Sequence, residues 1–229
     1  MELSIDTASE MASLALSGEG QLAAEMTWRC RRNHTVELLP TVEKLLAQVG
    51  TSKKDLTAVF VCIGPGLYTG LRVGVSTAKG LAYALGLPIV GVGRLQLDAY
   101  PHSSYRGPIV PIHTAGRGEL AWAVYENDND NQREVLAPRL SLPDEMLARV
   151  PADALFCGEV GTELAQDIAQ RLPQASLAPP AVTRRAAYLA SVAYRRLVPV
   201  GGDDPAALRP VYLRKAVVGP PTAGRQGSS

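Results

Sequence analysis

An excess of charge of either sign is what this sequence most clearly lacks. Its 23 lysines and arginines face 22 aspartates and glutamates, for a net charge of +1, which argues against the electrostatic footprint of a dedicated nucleic-acid binder. The short basic clusters, Arg29, Arg31 and Arg32 with His34, Arg184-Arg185, and Arg195-Arg196, read as solvated faces. Cysteine is scarce too. Cys30, Cys62 and Cys157 are odd in number and widely spaced, so neither a disulfide framework nor a zinc site follows. Cys62 and Cys157 lie in apolar runs, where a thiol behaves as a small hydrophobe. No apolar run reaches the ~18 residues of a membrane span, and Glu2 at the start of the first strand argues against a signal peptide. A cytoplasmic protein is expected. His34 has no second ligand at i+3 or i+4, and Asn127–Asn131 lacks the glycine and distal glutamate of a calcium loop. No metal site is expected.

What the sequence does contain is concentrated in residues 57–92. Thr57–Ile63 is a β-branched and apolar run suited to a strand buried on both faces. Gly64-Pro65-Gly66 breaks it, Thr69 is the expected N-cap, and a helix is expected from about Gly70 to Leu85, stopped by Gly86 and Pro88. Ile89–Val92 reads as a second buried strand. This β-turn-α-β unit favours a parallel pair with a right-handed crossover. Within the helix, Gly70, Gly74, Ala78 and Ala82 form one i, i+4 row beside Val73, Thr77, Leu81 and Leu85. Two interior glycines cost about 1 kcal/mol each relative to alanine, so close approach of another backbone is expected to offset them. The candidates are the chain's own sheet or a neighbouring helix, a partner's helix, or a phosphate at the helix N-terminus. The loop lacks the Gly-x-x-x-x-Gly-Lys-Ser/Thr spacing of a phosphate loop.

At 229 residues the chain can hold one large or two small domains. Leu3–Thr7, Met11–Leu16 and Gln21–Trp28 read as strands, the first ending on Asp6. Strand-hairpin-strand with a departing aspartate is an arrangement known from actin-like and sugar-kinase-like ATPases. No glycine follows Asp6 until Gly18, so a turn-capping Asp6 is the first reading. Asn33 is a candidate N-cap for an amphipathic helix, Val36–Val49, with Leu38, Val42, Leu45 and Leu46 on one face and Pro40 inside. A short helix is expected at Gly93–Tyr100. Pro101–Pro108 reads as a linker between lobes. Beyond it, strands are expected at Ile109–His113, Glu119–Tyr125 and Ala154–Cys157, with a polar turn at Asn127–Asn131. Helices are expected at Asp144–Arg149, Val160–Arg171 and Arg184–Leu197. The Pro/Gly/Ser-rich end is expected to be disordered.

Ile5-Asp6-Thr7, Asn33-His34-Thr35 leading into Leu38-Leu39-Pro40, the stretch from Gly64 to Gly74, Gly118-Glu119 and Pro210-Val-Tyr-Leu-Arg214 together resemble the TsaB family, formerly called YeaZ. The resemblance implies an α/β, actin-like (sugar-kinase-like) two-lobe fold, each lobe a mixed sheet with helices. It divides the chain into an N-terminal lobe (1–104), a smaller C-terminal lobe (105–216) whose last segment can dock back on the first, and a tail (217–229). It also implies a non-catalytic scaffold for a TsaD-like subunit, which transfers a threonylcarbamoyl group to the adenosine beside the tRNA anticodon. A TsaE-like ATPase joins that assembly, tRNA is met only indirectly, and a homodimer can form in isolation. ATP or ADP would sit at the junction with the TsaD-like partner and not on this chain alone. TsaD-like proteins carry His-x-x-x-His metal ligands where this chain has Arg94 and Asp98, and arginine, always protonated, is no ligand. Where TsaB proteins often show Asp-Ala-Arg, this chain has Thr114-Ala115-Gly116. An actin-like ATP-using enzyme and a metallopeptidase are the alternatives; Asp6, Gly64, Gly66 and Thr69 are the weak nucleotide candidates. The partner surface implied is His34, Leu38, Val42 and Leu45 of one helix with Gly70, Val73, Gly74, Thr77, Ala78, Leu81 and Ala82 of the other. On that reading Gly74→Leu keeps the monomer folded and loses the partner.

Overall fold

Strand β1 (Glu2–Asp6) is buried along its whole length because it lies at the centre of a five-stranded sheet. In the computed structural model, which describes residues 1–30, 33–128, 131–180 and 185–214, β1 pairs antiparallel with β2 (Met11–Gly18) and parallel with β4 (Ala58–Gly64). Its register sets Ile5 opposite both Leu14 and Val61. With β3 (Gln21–Arg29) and β5 (Ile89–Gly93) the order is β3-β2-β1-β4-β5. Helices α1 (His34–Gln48) and α2 (Tyr68–Leu85) cover one face, where Leu38, Val42, Leu45, Val75, Ala78 and Ala82 meet Leu3, Ile5, Leu14 and Val59. Helix α2 ends as expected, with Gly86 in the left-handed region at φ 65°. Its start differs. The N-cap position is Leu67, not Thr69, because the Leu67 N–H is anchored to the Ala8 carbonyl at 2.9 Å, which fixes the helix entry two residues earlier.

Helix α3 (Arg94–Ala99) follows β5 and is shared by both lobes. Its Leu97 packs with Phe60 and Val92, whereas Leu95 and Ala99 pack with Ile109, Ala123 and Cys157. The second sheet repeats the scheme of the first. Strand β6 (Ile109–Gly116) is antiparallel to β7 (Glu119–Asp128), which pairs with β8 (Asn131–Ser141). On its other side β6 is parallel to β9 (Leu155–Gly158), and β10 (Ser176–Leu177) completes the order β10-β9-β6-β7-β8. Helices α4 (Pro143–Leu147) and α5 (Thr162–Arg171) close this core through Met146, Leu147 and Ile168 against Trp122, Val124 and Phe156. The two-lobe actin-like fold expected from the sequence is the one observed, with two mixed five-stranded sheets and their helices.

Helix α6 (Ala186–Val200) returns to the first sheet, where Leu189 and Ala193 cover Phe60, Cys62 and Val90 on the face opposite α1 and α2. The described residues from 105 onward therefore serve both sheets. After α6, the Asp203 N–H bonds Ile89 O at 2.7 Å and its carboxylate accepts from Gly91 N at 2.8 Å. Those contacts close the exposed edge of β5. Strand β8 is absent from the sequence-based expectation. Its residues carry charges and Pro138, which disguise the alternation, and proline is tolerated there because β8 is an edge strand. The expectations for Arg31, Arg32, Arg184, the middle of the 127–131 turn and the tail 217–229 fall outside the described residues. Among the described residues no helix is long and apolar enough to cross a membrane.

Candidate partner-binding face

The glycines of α2 are explained first by the chain itself. The turn after β1 lies directly on the helix: the Thr7 hydroxyl donates to Gly70 O at 2.7 Å. A Cβ on Gly70 would run into the Thr7 carbonyl, one on Gly74 into the Thr7 hydroxyl, and one on Gly66 into the Ala8 carbonyl. Gly70, Gly74, Ala78 and Ala82 are all buried against their own lobe. The expectation that this row admits a partner helix is thereby corrected; what comes close to it is Thr7, through its carbonyl at Gly70 and its hydroxyl at Gly74. His34, Leu38, Val42 and Leu45 are likewise buried, on the core face of α1. Of the eleven residues expected at a partner surface, Val73, Thr77 and Leu81 keep partial exposure.

Three of the four nucleotide candidates, Asp6, Gly64 and Gly66, are absorbed in the same packing. The Asp6 carboxylate is buried and accepts from Ala8 N–H at 3.0 Å, an Asx turn. Gly64, at φ 99°, faces Leu71 and the Val211 carbonyl. Thr69 is exposed.

What α1 and α2 present outward is a different set. Val36 is 74% exposed, Leu39 50% and Tyr83 88%. On α2 the exposed residues Tyr68, Arg72, Ser76 and Gly80 recur at i, i+4 and lead to Tyr83, one stripe along the solvent side. A Cβ at Gly80 would meet no atom within 4 Å. That glycine carries the same helix penalty of about 1 kcal/mol with no internal contact to require it. Sequence reasoning missed these residues because it looked on the apolar face. The available signal was the apolar residues that fall off it, Val36, Leu39 and Tyr83. On α1, Glu37 accepts from the Trp28 indole N–H at 2.9 Å. That bond, with a second from Cys30, lowers the Glu37 carboxyl. Burial, with Glu37 alongside, pushes the Cys30 thiol up to about 11, so it stays protonated and unreactive near neutrality.

Between the lobes sits an ion cluster. Arg94, at the start of α3 and almost fully buried, donates to Asp98 at 3.3 Å, to Glu159 at 2.5 Å and contacts His113 Nε2 at 3.3 Å. Glu159 in turn faces His113 Nδ1 at 3.0 Å and accepts from Thr114 N–H at 2.9 Å. Arg94 and Asp98 stand at the positions where TsaD-like proteins are expected to carry histidine ligands. Here they pair with each other, and a guanidinium, always protonated, offers no lone pair to a metal ion, so these residues do not fit a metal. Nearby, Arg214 pairs with Glu119 and donates to Gly116 O at 3.2 Å, tying the C-terminal segment to the β6–β7 turn.

Burial by itself would raise the Glu159 carboxyl, but the His113 hydrogen bond, the Arg94 charge and the Thr114 N–H outweigh it and hold it at about 2. An unfolded glutamate titrates near ~4.3. The stability contributed by this carboxylate is therefore present above that value and is lost as the pH falls towards about 2. Glu159→Gln is expected to be less stable than wild type at neutral pH and to lose less stability across that acid window. Urea-unfolding midpoints against pH check this; parallel curves would show that Glu159 carries no pH-linked stability.

The model of the tRNA N6-adenosine threonylcarbamoyltransferase family, TsaD, matches residues 28–217. The tRNA threonylcarbamoyladenosine biosynthesis protein TsaB of Bacillus subtilis is 35% identical over 159 residues, 68% of this chain and 69% of that protein. The chain belongs to the TsaB family. The TsaB protein of Escherichia coli is 38% identical over 130 residues, 56% of each chain. The chain thus aligns with between 56% and 69% of the length of these two curated relatives. A solved structure of YeaZ from Pseudomonas aeruginosa superposes with a TM-score of 0.76 at 27% identity, covering 93% of this chain and 99% of that one. The TsaB (YeaZ) family is related to TsaD, whose family model matches this chain.

Proposed function

We propose that this chain is a non-catalytic subunit that binds and activates a TsaD-like transferase for threonylcarbamoyl modification of the adenosine beside the tRNA anticodon. The observation that carries this is the outward stripe of α2, where Gly80 stands exposed with no internal contact one turn before the exposed Tyr83; α1, on the same face of the sheet, adds the exposed Val36 and Leu39. Large apolar side chains left exposed on one face of a lobe suit an interaction surface, and a helical glycine on that face allows another backbone close approach. The absence of histidines at Arg94 and Asp98, and the use of Asp6, Gly64 and Gly66 in internal packing, support a role without chemistry of its own. The subunit acts by stabilising the active conformation of its TsaD-like partner, a population shift. A TsaE-like ATPase joins the assembly, tRNA is reached through the partner, and ATP or ADP binds at the junction. In isolation the same face supports a homodimer.

Gly80→Leu tests the reading. The substitution is expected to leave the monomer folded, with unchanged or higher stability because leucine is the better helix former. Its affinity for the TsaD-like protein is expected to fall by about tenfold or more, since a side chain is inserted into the contact. Calorimetric titration and urea unfolding give the two readouts. Native affinity in the folded variant would remove α2 from the interface, and a wild-type chain that fails to bind or stimulate the transferase would overturn the proposed function.

A further inference from the structure

The stripe on α2 does not end with the helix. At its N-terminal end Tyr68, 56% exposed, stacks with Tyr212 of the C-terminal segment, 45% exposed, with ring centroids 5.2 Å apart and planes at 32°. The Arg72 guanidinium lies 4.9 Å from the Tyr68 ring centre and donates to its hydroxyl at 2.7 Å. Leu67, also exposed, adjoins them. Tyr212 is held there from both sides. The Val211 N–H bonds Ile63 O at 2.7 Å, and Arg214 is tied to the β6–β7 turn through Glu119 and Gly116. Two aromatic rings and a guanidinium are thus kept in fixed positions while still in water. Such groups anchor protein interfaces, because little conformational freedom remains to be lost on binding.

We infer that Tyr68, Arg72 and Tyr212 form a second contact region for the protein partner, extending the α2 stripe onto segment 210–214; this rests on the partner reading above. Continuity argues for the same partner: Tyr68, Arg72, Ser76 and Gly80 are one exposed i, i+4 row. Charge argues for a protein and against RNA. The Arg72 guanidinium is already engaged by the ring and hydroxyl of Tyr68, and the chain carries a net charge of only +1, whereas affinity for nucleic acid comes largely from cations directed at phosphates.

The test compares the wild-type chain, Tyr212→Ala, Arg72→Ser and Gly80→Leu, each titrated calorimetrically with the TsaD-like protein and unfolded in urea. Tyr212→Ala and Arg72→Ser are each expected to weaken binding, by about tenfold for Tyr212→Ala, with unfolding midpoints close to wild type. Arg72→Ser leaves segment 210–214 untouched, so it separates a contact from a packing role. If wild type binds and Gly80→Leu does not, while both platform variants bind normally, the inference fails and the partner reading stands. A loss confined to Tyr212→Ala and accompanied by a lower unfolding midpoint also overturns it, assigning Tyr212 to stability. Binding of tRNA to the chain alone that disappears in Tyr212→Ala, with partner affinity unchanged, overturns it in favour of a nucleic-acid platform. A wild-type chain that does not bind overturns both readings.

Discussion

Gly74→Leu is expected to lose about 3 kcal/mol or more of folding stability, at or beyond the upper end of the usual cost of overpacking. The first carbon of the new side chain would already overlap the Thr7 hydroxyl, and Ile5 Cγ2 lies 3.7 Å from the same point. Displacing Thr7 also breaks its 2.7 Å bond to Gly70 O, which leaves buried polar groups without that partner. Gly70→Ala separates packing from helix propensity more finely. Propensity alone predicts a gain of about 1 kcal/mol for alanine. Here the added methyl points at the Thr7 carbonyl, a backbone atom at the end of the central strand, and a net loss is expected. Urea unfolding of the two variants decides the matter. A Gly70→Ala protein as stable as wild type would mean that the turn after β1 yields easily. A folded and stable Gly74→Leu would return this row to the partner surface.

Arg94→Met is expected to cost about 3 kcal/mol, the low end of the range for breaking a buried ion pair by removing one partner. Arg94 and Asp98 are 4% and 12% exposed in their side chains, so the Asp98 carboxylate loses its guanidinium where water gives little compensation. Glu159 is 43% exposed and recovers part of its solvation, which holds the expected loss at the low end. Arg94→Lys is expected to fall between the two. A single ammonium keeps the charge but cannot bond Asp98 and Glu159 in two directions as the guanidinium fork does. Coupling gives a second check. Arg94→Met combined with Glu159→Gln is expected to lose less than the sum of the single losses, because each substitution removes the same interaction. Strict additivity, or an Arg94→Met chain within about 0.5 kcal/mol of wild type, would show that the cluster contributes little to holding the lobes together.

The sequence by itself determined the local elements and much of their arrangement. The apolar run into Gly64, the helix stopped by Gly86, and the following strand fix a β-turn-α-β unit through covalent geometry and burial of apolar side chains within residues 57–92. Arg94 and Asp98 in place of paired histidines are equally a matter of residue chemistry. The amphipathic face of α1 identified Leu38, Val42 and Leu45 as residues that share one side of the helix. Periodicity states which residues share a face and says nothing of what that face meets. A row of small residues on α2 suits any backbone that comes close, and only the tertiary structure showed that the backbone is that of Thr7, bonded to Gly70 across 63 positions of sequence. The same limit applies to α6, whose apolar side suits either sheet and packs on the first, and to the Arg94–Glu159 pair, whose members are 65 positions apart. With the glycine row buried, the surface that α2 leaves in water, and that we propose for the partner, is the opposite stripe, from Tyr68 to Tyr83. The local pattern marks that stripe only by a residue such as Tyr83 that falls off the apolar face, because exposure follows from what the rest of the chain leaves uncovered.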